Sequence, residues 1–253
     1  MKVIFLGTGT SQGVPVIACD CAVCNSLDYR DKRLRTSVYV ECDDVSIVID
    51  PGPDFRQQML VNRIKKVDAI LFTHEHKDHT AGLDDIRAFN HKYNYDMPIF
   101  GSAKVIEQLK NEFKYIFSED TYPGIPRIEP HIIENEAFQF RGLTIIPILV
   151  YHYKLPVFGF RINDFTYITD AKTIDEKELN KTKGSRFSVL NALQKAAHIS
   201  HLTLEEAINI AQNWDVERTY FTHLSHVMGT HAETEKLLPQ NIFIAYDGLT
   251  LEW

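Results

Sequence analysis

Between Thr73 and His79 the chain reads THEHKDH, three histidines and an aspartate within seven residues, preceded by the apolar run AILF. Such a density of imidazole and carboxylate points to metal ligation. His74 and His76 alternate by two, so on extended backbone both side chains leave the same face, while Asp78 and His79 reach a second point after a turn. One loop can thus serve two adjacent ions. Neutral imidazole suits zinc, and a carboxylate widens the choice toward manganese or iron. A solvated polar loop is the alternative, and four potential ligands at this spacing weigh against it. A second group lies upstream in ACDCAVC, where Cys19, Cys21 and Cys24 are three of the four cysteines in the chain. With no export signal in the sequence, the clustering favours thiolate ligation of a metal over a disulfide framework. Cys42, in the strand-like TSVYVEC, reads as a small buried side chain.

These groups need a scaffold that holds strand ends together. The 253 residues, 44% hydrophobic and 24% charged, suffice for one globular domain, residues 1–253, with a substantial core. No linker, repeat or low-complexity segment divides them. The start MKVIFLGTGT has too short an apolar run for a signal-peptide core or a membrane span, so cytoplasmic residence without membrane association is expected. A net charge of −7 gives no general attraction for nucleic acid, and a small anionic substrate would need local cations such as bound metals. KVIFL, SVYVE, SIVID and AILFT read as strands, and AKVIEQLKNEFK spaces Val105, Ile106, Leu109 and Phe113 as a helix covering a sheet face. Further on, LTIIPILV, VFGFRI, FTYIT, RTYFT and NIFIAYDGLTLEW read as strands, and LTLEEAINIAQNW as an amphipathic helix. The pattern permits an α/β architecture of two mixed β-sheets packed face to face, with helices on the outer faces.

THEHKDHTAGL resembles the His-x-His-x-Asp-His signature of the metallo-β-lactamase-fold hydrolases, which implies the four-layer αββα sandwich of that fold. The resemblance implies further ligands at later strand ends: His152 after IIPILVY, Asp170 closing FTYITD, and His223 after RTYFT. His74, His76 and His152 would hold one divalent ion, zinc or manganese, and Asp78, His79 and His223 a second, with Asp170 bridging. Taken alone, His152 or His223 would more often be a partly buried structural histidine. Asp50, in IVIDPGPDF, is similar to the aspartate that supports the ligand loop through hydrogen bonds; a helix cap or turn is its alternative.

GTGTSQGVP followed by CDCAVC is similar to the subgroup of the phosphoribosyl cyclic phosphate phosphodiesterase, PhnP-like. In that subgroup a Cys-x-Cys-x-x-Cys cluster and a distant histidine form a structural zinc site. Here Cys19, Cys21, Cys24 and His226 would hold that zinc, against the alternative of unligated thiols near a turn. His201, in SHLTLEE, occupies the place of a histidine assigned to proton transfer, with helix capping or solvation as its alternatives and His198 as its competitor. The resemblance thereby implies a phosphodiesterase acting on a small, cyclic phosphodiester. On that implication a hydroxide held by the two metals would attack phosphorus, with Asp78 and His201 as catalytic residues and His201 protonating the leaving alkoxide. A homodimer is implied as well. Amides of GTGTSQG offer weak additional phosphate contacts. The rival readings are a tRNA 3′-processing endonuclease, disfavoured by the acidic composition; a β-lactam or thioester hydrolase; and a zinc-stabilised binding or regulatory module without catalysis. The segment from about Asn90 to Ile145 carries no matching motif and is the place to seek substrate selection.

Overall fold

The structure, a computed structural model, describes residues 1–118 and 122–253. Apolar runs become strands in the first part of the chain: β1 (Lys2–Gly7), β2 (Ser37–Cys42), β3 (Val45–Ile49), β4 (Ala69–Leu71), β5 (Met97–Gly101) and β6 (Ile128–Ile132). A second set follows: β7 (Phe138–Phe140), β8 (Leu143–His152), β9 (Leu155–Ile162), β10 (Phe165–Tyr167), β11 (Thr173–Ile174), β12 (Phe187–Asn191), β13 (Arg218–Thr222) and β14 (Ile242–Ile244). The chain closes with β15 (Thr250–Glu252). Between them lie α1 (Phe55–Val61), α2 (Lys77–Thr80), α3 (Arg87–Tyr93), α4 (Ala103–Glu112), α5 (Glu176–Leu179), α6 (Leu204–Gln212) and α7 (His231–Glu235). No helix among the described residues is long and apolar enough to cross a membrane.

Two compact units result, each assembled from separated stretches. One comprises Met1–Leu6, Thr36–Glu134 and Gly248–Trp253, the other Gly7–Arg35 and Asn135–Asp247. The first holds a mixed seven-stranded sheet in the order β15-β1-β2-β3-β4-β5-β6. Its strands β3 to β6 run parallel, and β3 is buried along its whole length, as parallel strands covered on both faces require. Leu109 and the Val105–Ile106 pair of α4 share an apolar cluster with Phe55 and Met59 of α1 and with strand residues such as Val48 and Ile70. Ser102 caps α4 by accepting from the Val105 N–H, and the helix ends two residues before the Lys114 limit its spacing predicted.

The second unit holds a mixed eight-stranded sheet in the order β11-β8-β9-β10-β12-β13-β14, with β7 beside β8. β8 and β9 form an antiparallel hairpin whose last register pair is His152↔Leu155, and β10, β12, β13 and β14 run parallel. Leu204, Ala207 and Ala211, at helical spacing on α6, pack into this unit's core with Phe221 and Ile244. One sequence reading needs correction. NIFIAYDGLTLEW is two short strands that belong to different sheets, because Gly248 at φ +87° turns the chain between β14 and β15.

Candidate metal centre

In the first unit, β4 ends at Leu71 and the chain enters the ligand loop at Thr73. Asp50, fully buried just past β3, accepts from the Thr73 N–H at 2.8 Å, from the Thr73 hydroxyl at 2.7 Å and from His79 Nδ1 at 2.7 Å. The N-cap position of helix α1 is Asp54, whose side chain makes no capping bond, and the Asp50 carboxylate is taken up by Thr73 and His79. Burial pushes its carboxyl upward, opposed by His79 and the two Thr73 donors. A proton on His79 Nδ1 leaves Nε2 as the ligand nitrogen. That nitrogen lies 3.2 Å from Asp78 Oδ2, and His74 Nε2 lies 3.0 Å from His76 Nδ1. Oxygen or nitrogen ligands on a tetrahedral ion with bonds of about 2.0–2.1 Å sit about 3.3 Å apart. The donor pairs of THEHKDH therefore fit shared cations.

In the second unit, His152 closes β8 at the hairpin turn, where Tyr153 adopts φ +58°. Its Nδ1 donates to the Ser200 carbonyl at 2.8 Å, which again turns Nε2 outward as a ligand nitrogen. His152, Asp170 and His201 present ligand atoms within 4.8 Å of one another. His223 Nδ1 lies 3.3 Å from Asp170 Oδ2, and His201 Nδ1 3.7 Å from Asp170 Oδ1. His201 is buried. Burial, followed by the His223 charge, holds its imidazole down at about 3 against the pull of Asp170. Helix α6 is capped by Thr203, in a reciprocal box with Glu206, so His201 is neither a cap nor solvated. His198 is half-buried and accepts from the Ser200 N–H at 3.3 Å.

Three of these strand-end positions share a strained backbone. Asp50, Asp170 and His223 have φ of +59°, +54° and +59°, a conformation that costs an ordinary residue roughly 1–2 kcal/mol. It persists where the surroundings over-determine it, which is typical of functional sites.

The thiolate group lies wholly within the second unit. Cys19, Cys21 and Cys24 Sγ stand 3.2, 3.4 and 3.6 Å from His226 Nδ1. Tetrahedral zinc with sulfur at about 2.3 Å and nitrogen at about 2.0–2.1 Å separates S and N by about 3.5 Å. The three S–N distances match edges of such a tetrahedron, and all four donors lie within 4.8 Å of one another. The Cys24 N–H and then His226 lower the Cys21 thiol to about 6, whereas burial lifts Cys24 to about 11. The His223–His226 stretch is pinned to the amino-terminal loop: the Leu224 N–H donates to the Thr8 carbonyl at 2.9 Å, and the Thr10 N–H to the Leu224 carbonyl at 3.1 Å. Gly9 is needed there because a Cβ would lie 3.0 Å from the Arg33 and Leu34 carbonyl oxygens. Gly9 and Gly13 also donate their N–H groups to backbone carbonyls. The amides of Gly9, Thr10 and Gly13 are thereby committed to the fold, which corrects their reading as phosphate contacts.

Residues 46–224 match the β-lactamase superfamily domain, and the chain belongs to this superfamily of metal-dependent hydrolases. Over its whole length it is similar to a solved diphosphatase of the PhnP family, at 40% identity and a TM-score of 0.93, covering 97% of that chain. It is 37% identical over 98% of its length to a Porphyromonas gingivalis protein named octanoyltransferase, of which it spans 51%. Zinc-bound PqqB of Methylobacterium extorquens shares the fold at 18% identity and a TM-score of 0.80, with both chains fully covered.

Sequence reasoning passed over Thr73 and Asn191. Thr73 stands inside the quoted motif and supplies two of the three donors to Asp50. Asn191 is a lone amide in the apolar run SVLNAL, a signal that a buried polar group there has fixed partners.

Proposed function

We propose that the chain hydrolyses a small phosphodiester or disubstituted diphosphate. On this reading His74, His76, Asp78, His79, His152, Asp170 and His223 would hold two divalent ions, and Cys19, Cys21, Cys24 and His226 would hold a structural zinc. The observation that carries the proposal is the likeness, at 40% identity across the whole chain, to a diphosphatase of the PhnP family. The thiolate tetrahedron supports the same branch of the superfamily. Octanoyl transfer is not carried over, since this chain spans only about half of the relative so named.

Two bound divalent ions would lower the pKa of a water molecule and neutralise phosphoryl oxygens. The chain's own contribution is positional. Asp50 fixes the His79 tautomer, and the Ser200 carbonyl fixes that of His152. His201, whose imidazole burial and then His223 hold down against the pull of Asp170, would be the donor to a leaving alkoxide in its protonated form. A phosphate leaving group, as in a diphosphate, departs without that help.

Turnover of a cyclic ribose phosphate, a disubstituted diphosphate, precursor tRNA and a β-lactam by the manganese- or zinc-loaded protein tests the proposal. Cleavage of either small phosphate compound is expected. Exclusive cleavage of the tRNA or the lactam overturns the substrate class, and no cleavage of any of the four favours the binding-module reading.

A further inference from the structure

We infer that Asn191 is the positioning residue that sets Asp170 and His201 relative to each other. β10 and β12 pair in parallel up to Tyr167↔Val189, and the Ile168 N–H still reaches the Val189 carbonyl at 2.9 Å. Beyond that point the backbone at Asp170 turns left-handed, with φ +54°, and the ladder stops. The side chain of Asn191 takes over where the backbone cannot reach. Its Oδ1 accepts from the Ala171 N–H at 2.8 Å and its Nδ2 donates to the Ala171 carbonyl at 3.0 Å. Donor and acceptor of one residue are thus both held by one planar amide, the geometry of a bridge pair made by a side chain.

The Ala171 carbonyl is shared. The Leu202 N–H donates to it at 2.9 Å, and Leu202 immediately follows His201. A single carbonyl therefore links the residue after Asp170 with the residue after His201, and Asn191 fixes that carbonyl. Both Asn191 and Ala171 are fully buried, so water cannot replace the amide without rearrangement. Two flanking bonds extend the same frame. The Ala192 N–H donates to the Thr222 carbonyl at 3.0 Å, just before His223, and the Lys172 N–H to the Tyr151 carbonyl at 2.7 Å, just before His152. A side-chain amide suits this place because it offers one donor and one acceptor side by side; Asp lacks the donor and Leu lacks both.

The inference rests on the ligand reading of Asp170 proposed above, and its test separates the two. Hydrogen exchange on the metal-free protein, followed by mass spectrometry, compares wild type with Asn191→Asp and Asn191→Leu. Exchange at Ala171 and Leu202 should accelerate about 5- to 30-fold, the worth of one or two hydrogen bonds, while Val45–Ile49 in the other unit stays protected. In a second arm, Co²⁺ affinity of the exchangeable sites should fall about 10- to 100-fold, as for other groups that orient ligands, with the thiolate-held zinc retained. Unchanged exchange in both variants overturns the inference. So does faster exchange spread evenly over the chain, or faster local exchange with wild-type cobalt affinity, because each describes a residue that serves only stability. Should wild type itself take up no exchangeable cobalt, the ligand reading of Asp170 fails, while the exchange arm still judges the clamp. Asn191→Asp preserves shape and one bond, so the test stands if Asn191→Leu does not fold.

Discussion

Replacing Asp50 separates two tasks that one carboxylate performs. In Asp50→Ala three buried donors lose their acceptor: the Thr73 N–H, the Thr73 hydroxyl and His79 Nδ1, now bonded at 2.7–2.8 Å. A buried donor left unsatisfied costs about 1–3 kcal/mol, and water entering the vacated space keeps the sum near the lower end, about 3–5 kcal/mol. Domains are stable by only about 5–15 kcal/mol, so this variant should be severely weakened in urea unfolding of the metal-free protein. Asp50→Asn behaves differently. If its amide oxygen keeps the Thr73 N–H, its amide nitrogen faces His79 Nδ1, and two donors cannot meet. The imidazole relieves the clash by moving its proton to Nε2, the nitrogen 3.2 Å from Asp78 Oδ2. The fold then survives with a loss of roughly 1–2 kcal/mol, but the ligand lone pair of His79 is gone. Metal affinity measured by chelator competition should drop by at least about 10- to 100-fold. Wild-type metal affinity in Asp50→Asn, or a stability loss in Asp50→Ala below about 1 kcal/mol, would refute the reasoning.

Three further outcomes are expected. Cys21→Ser should lower metal content from about three ions per chain to two and reduce thermal stability, since a structural zinc contributes folding free energy; unchanged zinc and melting temperature would dismiss that site. His201→Ala should slow an alkyl diester by about 10²- to 10⁴-fold and a nitrophenyl diester far less, and equal losses on both would remove His201 from proton donation and make His198 the next candidate. Asp247, which accepts from Thr8 and Leu34, is pushed up to about 7 by burial. Its folded-state pKa lies above the unfolded value, so its contribution to stability is full below about pH 4 and is lost as pH rises toward 7. Denaturation midpoints of wild type should accordingly fall relative to Asp247→Asn across that window, and parallel pH profiles would contradict the assignment.

How far the fold was legible depended on whether local pattern and tertiary demand agreed. SIVID and AILF are buried β-rich runs, and α6 carries its capping box in the sequence itself, Thr203 with Glu206. β5 and β6 escaped notice because MPIFG and IEPHI contain Pro98 and Pro130, which normally argue against a strand inside a sheet. Pro98 is tolerated because β4 pairs with β5 only from Ile99 onward. In the site, THEHKDH and the cysteine cluster were visible through their spacing, whereas His152, Asp170 and His223 each needed the order implied by the resemblance. Asn191 was invisible for another reason: a polar residue in an apolar run announces that it has a partner, but the register of β10 against β12 decides which. The absence of any linker between the two units has a plain cause, since the chain passes between them four times and never completes one before starting the other.

That interleaving meets its extreme in the pairing of the first strand with the last. β15 lies antiparallel to β1, with Lys2 opposite Glu252, and the Trp253 N–H donates to the Met1 carbonyl at 3.0 Å. During synthesis β1 (Lys2–Gly7) leaves the ribosome well before its neighbour β15 (Thr250–Glu252). The β15 side of β1 is therefore open while the intervening residues are made, at about 5–20 residues per second a period of tens of seconds. An unpaired apolar edge is a template for other nascent chains, so this protein's yield in a cell should respond to ribosome-associated chaperones more than its finished stability suggests. The same adjacency brings Met1 and Trp253 to one sheet margin. Joining them with a short linker and opening the ring at an exposed turn such as Arg141–Gly142 gives a permutant in which β15 and β1 are made in succession. Long-range closure across the whole chain then becomes a local hairpin, and refolding should accelerate.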